Sequence, residues 1–344
     1  MRRFLFWPHL LAGVLAGFVI LLMCVTGVLL TYEKQLLAWA DRAVNTVPVP
    51  PAATRLPIDD LLAAAPKATA LTLYNRPDAA AQLALPGNKL VYFDPYSGRL
   101  TGETSASARG FFRQVLLWHR WLGENTPTSK AITGASNLAF LFLLLTGVPM
   151  WIQRPIAWFR RGLSPKARDY NWHHVLGIWS SVPLLLIVVT AVFFSYSWAT
   201  PLLYTLTGEK PPVEAKFPPP GPGPYEPLFR QIDAPQWQVI TFRPAAGAFA
   251  VEEGGWGRVD LKSTWTIKDN ALVRSDRFET LPLARRLRFW VRTVHTGEAA
   301  GLFGQTLAGL ASAAGAVLVY TGIALSWRRL RASLRRVDKE ASVR

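Results

Sequence analysis

Four long stretches of this 344-residue chain carry no Asp, Glu, Lys or Arg. They lie between Arg3 and Glu33, Lys130 and Arg154, Asp169 and Glu209, and Glu298 and Arg328, and hold 29, 23, 39 and 29 residues. A helix needs about 20 predominantly apolar residues to cross the hydrocarbon of a bilayer, so each stretch is long enough to span one. The sequence therefore predicts a mainly α membrane protein with four transmembrane helices, at residues 9–31, 131–152, 174–198 and 302–327. The first run follows Arg2 and Arg3 as a signal peptide would, but its apolar length is about twice that of a signal core, which makes it a span. With a membrane accounting for the composition, the net charge of +16 does not call for nucleic acid as a partner.

The charges divide unevenly along the chain. The start, the connection 153–172 and the tail 328–344 together hold 14 Lys or Arg and 3 acids in 45 residues, whereas 32–130 and 199–300 hold 24 and 19 in 201. Basic residues concentrate in cytoplasmic loops, so both termini are expected in the cytoplasm and both long segments outside. The first long segment reads as a small α+β module, with an amphipathic helix from Leu56 to Ala65 and strands at Ala70 to Asn75, Ala81 to Leu85 and Lys89 to Asp94. It closes on a helix from Ala108 to Gly123 suited to a membrane surface. The second opens with a linker, Pro211 to Pro227, that holds eight prolines. Strand-like runs follow at Trp237 to Phe242, Ala248 to Glu252 and Ser263 to Lys268, then a basic amphipathic helix from Leu281 to Thr296. This second module is expected to be the more irregular.

The chain also resembles itself. WPHLLAGVLAG at the start of the first span compares with WHHVLGIWSSV at the start of the third, and VTGVLLTYEKQLLAW with VTAVFFSYSWATPLLY at their ends. The second span ends LLLTGVPMWIQR and the fourth LVYTGIALSWRR. Two parallel repeats of helix, outside module, helix are predicted, 1–163 and 164–344. All five histidines stand at span ends, and the repeat pairs His9 with His173 and His119 with His295. Two imidazoles at one depth on related helices suit a b-type haem, whose iron takes one nitrogen donor on each face. Gly13 and Gly177, four residues after His9 and His173, share their helical face and leave room for a flat macrocycle. His174 is the alternative to His173; on a helix it is turned by about 100°, so only one of the two faces a given iron.

Other chemistries lack their residues. The single cysteine, Cys24, excludes an intramolecular disulfide, a CxxCH haem attachment and a cysteine-ligated cluster. No GxGxxG or GxxxxGK[ST] motif marks a nicotinamide, flavin or nucleotide-triphosphate site. Zinc would take three or four ligands, which are not found around His9 or His173. Trp residues gather at span ends as an aromatic belt, and Arg120, Arg168 and Arg292 near the histidines suit either haem propionates or lipid phosphates. Gly27, Gly147, Gly309 and Gly315 suit either close helix contacts or cofactor clearance.

The paired-span repeat, the HxxxG openings, the segments NRPDAAAQLAL, VYFDPYSGRLTGE and LLWHRWLGE, and the TG-x-x-x-W-x-x-R endings resemble the PepSY-associated transmembrane family of bacterial iron-regulated inner-membrane proteins. The resemblance implies a di-haem reductase that releases iron from a ferric siderophore at the periplasmic face. Its ligands would be His9, His119, His173 and His295, holding two haem b, with no catalytic residue beyond them; His295 departs from the HxxxG spacing. Electrons would come from a cytoplasmic or quinol donor, and membrane lipid would be the remaining partner. Two rival expectations are a haem-free regulatory or scaffolding protein and a haem carrier that serves a periplasmic protein.

Overall fold

The computed structural model describes residues 2–51, 54–87, 89–211, 223–254 and 257–342. Its first half runs α1 (Arg2–Leu30), α2 (Glu33–Ala40), α3 (Ile58–Ala63), β1 (Ala70–Tyr74), β2 (Ala81–Leu85), β3 (Lys89–Phe93), β4 (Leu100–Glu103), α4 (Ala106–Trp121) and α5 (Pro127–Ile152). Its second half runs α6 (Pro165–Ser195), α7 (Ala199–Leu206), α8 (Glu226–Phe229), β5 (Val239–Arg243), β6 (Ala248–Glu252), β7 (Lys262–Lys268), β8 (Ala271–Arg277), α9 (Leu283–His295) and α10 (Gly301–Ser342). The compact units cut across these halves. A helical unit takes the chain up to Tyr32, Phe112–Leu202 and the part from Val291 on; a sheet unit takes Glu33–Phe111 and Leu203–Trp290.

In the helical unit, four segments are long and apolar enough to cross a membrane: Phe4–Leu30 in α1, Pro127–Ile152 as α5, Pro165–Ser195 as α6, and Glu298–Arg335, which adds the single turn before α10 to that helix. Helix α1 packs on α5 and α10, and α6 packs on the same two, so α1 and α6 stand diagonally across the bundle. The distribution of polarity is that of a chain solvated by lipid. Phe18, Leu15, Val182, Trp179, Phe303 and Leu310 are exposed, while Thr26, Asn137, Thr146, Ser180, Gln305 and Thr321 are buried. Side chains bond between helices inside: Asn137 donates to the Val188 carbonyl at 3.3 Å and Gln305 to the Thr31 carbonyl at 3.0 Å. Without water to drive apolar association, such bonds and close backbone approach hold membrane helices together. Gly315 is a point of close approach, since a Cβ there would come within 2.7 Å of Cys24 Sγ.

The helices outrun the apolar stretches. Pro165 opens α6 nine residues before the predicted span, where its fixed φ suits a first helical position. The polar first turns are held by Asp169, whose carboxylate is buried between Arg168 at 3.1 Å and Arg328 of α10 at 2.6 Å. Likewise the tail after Trp327 continues α10 rather than forming a separate segment.

The sheet unit departs from the expectation of two separate modules. One antiparallel sheet takes four strands from each long segment, in the order β4-β3-β2-β1-β5-β6-β7-β8, and β1 against β5 is the seam. The reason lies in register. Val91, Leu83, Leu71, Phe242, Phe249 and Trp265 are successive cross-strand partners, so one apolar row runs unbroken through six strands. Phe242 and Phe249 stack at 4.4 Å between ring centres, and Ile58 and Leu61 of α3 cover the row with Leu228 and Phe229 of α8. Neither half could bury this face alone. The second segment is also less irregular than expected: β7 and β8 form a hairpin whose turn residues Asp269 and Asn270 have φ of 52° and 59°, the left-handed pair that a tight hairpin requires. Of the expected linker, residues 212–222 lie outside the described residues, and Glu226–Phe229 is helical.

Carboxylates start the key helices. Asp59 accepts from the Tyr225 and Glu226 amides at the start of α8, and Glu226 accepts from the Ile58 amide at the start of α3, so each helix caps the other. Asp41 is fully buried and accepts from the Ser105 amide at 2.7 Å and from Arg109 at 2.6 Å in the first turn of α4. Tyr92 leans on the same carboxylate at 3.4 Å, and burial, with Tyr74 and Asp41 beside it, raises its hydroxyl pKa so that it stays a donor. Glu209 accepts from the Leu283 and Ala284 amides in the same way at the start of α9. Removing one partner of a buried ion pair leaves the other uncompensated, so Asp41→Ala is expected to cost about 3 kcal/mol of stability, as is Arg109→Ala. In thermal unfolding of detergent-solubilised protein the double variant Asp41→Leu/Arg109→Met should lose less than the two single losses added together. Additive losses would show that the pair is not coupled.

Candidate functional site

Helices α4 and α9, started by Asp41 and Glu209, carry histidines in their last turns: His119 and His295. Their rings meet edge to face, with centres 6.4 Å apart and planes at 62°. His9 on α1 and His173 on α6 stand on the two diagonal helices, which pack on the same two neighbours, α5 and α10. Of the four predicted imidazoles, His119 and His295 are thus in ring contact within the bundle unit.

Each imidazole is held at Nδ1 from a neighbouring helix. His9 meets Thr146 Oγ1 of α5 at 2.8 Å, His119 meets Thr26 of α1 at 2.9 Å, and His173 meets Thr321 of α10 at 3.0 Å. His295 meets the Ile187 carbonyl of α6 at 2.9 Å, with Thr190 at 3.3 Å. Each threonine already donates its only proton to the carbonyl four residues back, Thr26 to Leu22, Thr146 to Phe142, Thr190 to Leu186 and Thr321 to Val317. Its hydroxyl can only accept from the ring, so Nδ1 carries the proton and Nε2 is left with a bare lone pair. No hydrogen bond engages Nε2 of any of the four among the described residues. Burial, with His295 beside it, pushes the His119 pKa down to about 4, and burial lowers that of His295, so both rings are neutral near pH 7.

A small residue follows each threonine, and it makes the room. A Cβ on Gly147 would lie 3.6 Å from His9 Cε1, on Gly27 3.6 Å from His119 Cε1, and on Gly322 3.4 Å from His173 Cε1. A methyl is therefore the largest group these positions take, and the fourth, after Thr190, is Ala191. At Gly13 and Gly177 the nearest neighbours are Leu143 of α5 and Leu318 of α10, each 3.7 Å from an added Cβ. A Cβ on Gly309 would lie 3.0 Å from Thr31 Oγ1, in the turn that follows α1. His174 is surrounded differently from His173, its ring lying against Tyr170 at 4.3 Å.

Neutral imidazoles with Nδ1 bonded and Nε2 bare are metal ligands in waiting, their tautomer set by the second bond. Among the described residues no three His, Cys, Asp or Glu side chains gather as a metal site, which leaves two-donor sets. With ring centres 6.4 Å apart, His119 and His295 are close enough to serve one metal or cofactor as a pair.

The sequence pattern of the PepSY-associated TM region matches residues 6–329. The chain belongs to this family. A search of curated proteins returns no match. The matched region of this PepSY-associated chain includes all four paired histidines and their threonines. The four threonines are the residues that the sequence reading passes over; the signal for them was a Thr-Gly or Thr-Ala doublet in every span, at Thr26-Gly27, Thr146-Gly147, Thr190-Ala191 and Thr321-Gly322, with a further doublet, Thr133-Gly134, in the second. In protein labelled with ¹⁵N at histidine, four imidazoles are expected to be protonated at Nδ1 and bare at Nε2, and Thr26→Val should move the His119 signals alone. Protonation at Nε2 in these four residues would contradict the assignment.

Proposed function

We propose that this chain is a di-haem b-type reductase of the bacterial inner membrane that passes electrons to a periplasmic ferric siderophore and so releases its iron. The observation that carries the reading is the repeated arrangement of four half-buried imidazoles, each tied at Nδ1 and bare at Nε2, with His119 and His295 in ring contact. His9 with His173 would hold one haem b, and His119 with His295 the other. Bound there, haem supplies one-electron transfer without a proton or a covalent step. The protein's part is to orient: Thr26, Thr146, Thr190 and Thr321 fix the rings, the small residues after them leave space, and the apolar bundle keeps water out. No general acid or nucleophile is needed.

The electron comes from a quinol or a cytoplasmic reductant and ends on the chelated Fe(III), which becomes Fe(II). Hard oxygen donors hold the more highly charged ion far more tightly, so the reduced ion is released. In this reading residues 1–163 and 164–344 are parallel repeats, supported by each half contributing one member of both histidine pairs and two of the threonines. The basic connection and both termini are cytoplasmic, and the sheet unit is periplasmic and meets the siderophore.

Anaerobic mixing of dithionite-reduced protein with a ferric hydroxamate or catecholate, with a ferrous-iron trap present, is expected to reoxidise the protein and yield one Fe(II) per electron. Thr146→Val should keep the haem but weaken its retention by about 10- to 100-fold, the usual effect of losing the group that orients a ligand. Reduced protein that ignores ferric chelates yet is reoxidised by a periplasmic protein would move the reading to an electron carrier. Protein that takes up no haem would move it to a haem-free regulator.

A further inference from the structure

The end of the bundle that carries residues 153–164 has a groove of about 690 Å³ between α6 and α10. Its floor is apolar: Leu176 of α6 faces Leu310, Ala313, Ala314 and Val317 of α10, and the two alanines open the space between the helices. Its rim is cationic, with Arg160, Arg161 and Arg168 beside Trp172. Leu310 and Trp172 are exposed, so the groove opens on the surface of the bundle rather than into the histidine pairs.

The rim is built rather than draped. Asn171, buried in α6, accepts from the Arg160 amide at 3.1 Å and donates to the Trp158 carbonyl at 3.1 Å. Trp151 donates to the Ile156 carbonyl at 3.0 Å and Trp179 to the Ala157 carbonyl at 2.9 Å. Three side chains thus fix the backbone that presents Arg160 and Arg161, while Trp158 and Phe159 stay exposed beside them as interfacial aromatics do. Among the described residues neither Arg160 nor Arg161 has an ion-pair partner, and the nearby Asp169 is taken by Arg168 and Arg328.

We infer that this groove is a binding site for an anionic phospholipid, with its phosphate on Arg160 and Arg161 and an acyl chain along the alanine face of α10. Basic pockets between membrane helices at the headgroup level take such lipids. Charge decides between this occupant and a quinol, which is also amphipathic. A quinol must lose protons when it is oxidised, and the lining offers no carboxylate or imidazole to take them. Two cations without counter-ions above an apolar trough ask instead for a fixed negative charge on a hydrocarbon chain. The inference does not depend on haem.

Full-length protein delipidated in neutral detergent tests it by thermal unfolding and by mass spectrometry of retained lipid. Phosphatidylglycerol or cardiolipin is expected to raise the unfolding temperature more than phosphatidylcholine at equal concentration, and to be retained preferentially. Arg160→Gln/Arg161→Gln should cut the preference by roughly tenfold to thirtyfold, whereas Arg331→Gln/Arg335→Gln, which removes the same charge elsewhere, should leave it largely intact. Ala314→Phe, which fills the floor and keeps the charges, should also abolish retention. Equal effects of the two lipid classes, an equal loss in both double variants, or displacement of the lipid by a short-chain ubiquinone would each overturn the inference.

Discussion

A threonine hydroxyl has one proton to give, and in this bundle four threonines give it to the carbonyl one turn back on their own helix. That leaves each of them able only to accept, and an imidazole from another helix is what it accepts from. Between packed helices the ring has few other partners, so this bond fixes both its tautomer and its direction. The consequence is chemical rather than structural: four nitrogens with free lone pairs, in pairs, inside an apolar bundle.

Much else in the fold serves to deliver those rings. Helices α4 and α9 bring His119 and His295 together, and each begins on a buried or capping carboxylate, Asp41 or Glu209. Where these helices start determines which residue falls in their last turn. The sheet unit is stabilised by a different rule, ordinary burial of an apolar row across strands from both halves of the chain. The bundle has the reverse polarity, with threonine, asparagine and glutamine inside and phenylalanine and leucine outside. One chain therefore folds against two solvents, and its two compact units each draw on both halves.

Most of the bundle was legible in the sequence, because charge-free runs are long-range averages that no single residue can spoil. Strands β2 and β6 were legible to the residue from alternation alone, Ala81–Leu85 and Ala248–Glu252. Strand β8 was not: ALVRSDR carries three charges, and only the Asp269-Asn270 turn signals that it folds back. The seam between β1 and β5 was out of reach for another reason, since pairing between segments 165 or more residues apart leaves no local trace. For the site, the five histidines were visible but their surroundings were not. His173 and His174 are adjacent and alike in residue type, and it is their partners, Thr321 148 residues away for His173 and the Tyr170 ring for His174, that distinguish them. The threonine doublets were visible as repeat signals, and their chemical role required the helices to be placed beside one another.

The central claim is that each histidine pair holds one haem iron through Nε2. The most direct measurement is pyridine-haemochrome quantitation with a reduced-minus-oxidised visible spectrum, on detergent-purified protein expressed with haem supplied, for the wild type and for His9→Ala and His119→Ala. The account predicts two b haems per chain in the wild type and one in each variant. A wild type with no haem, or variants that keep both, would contradict it.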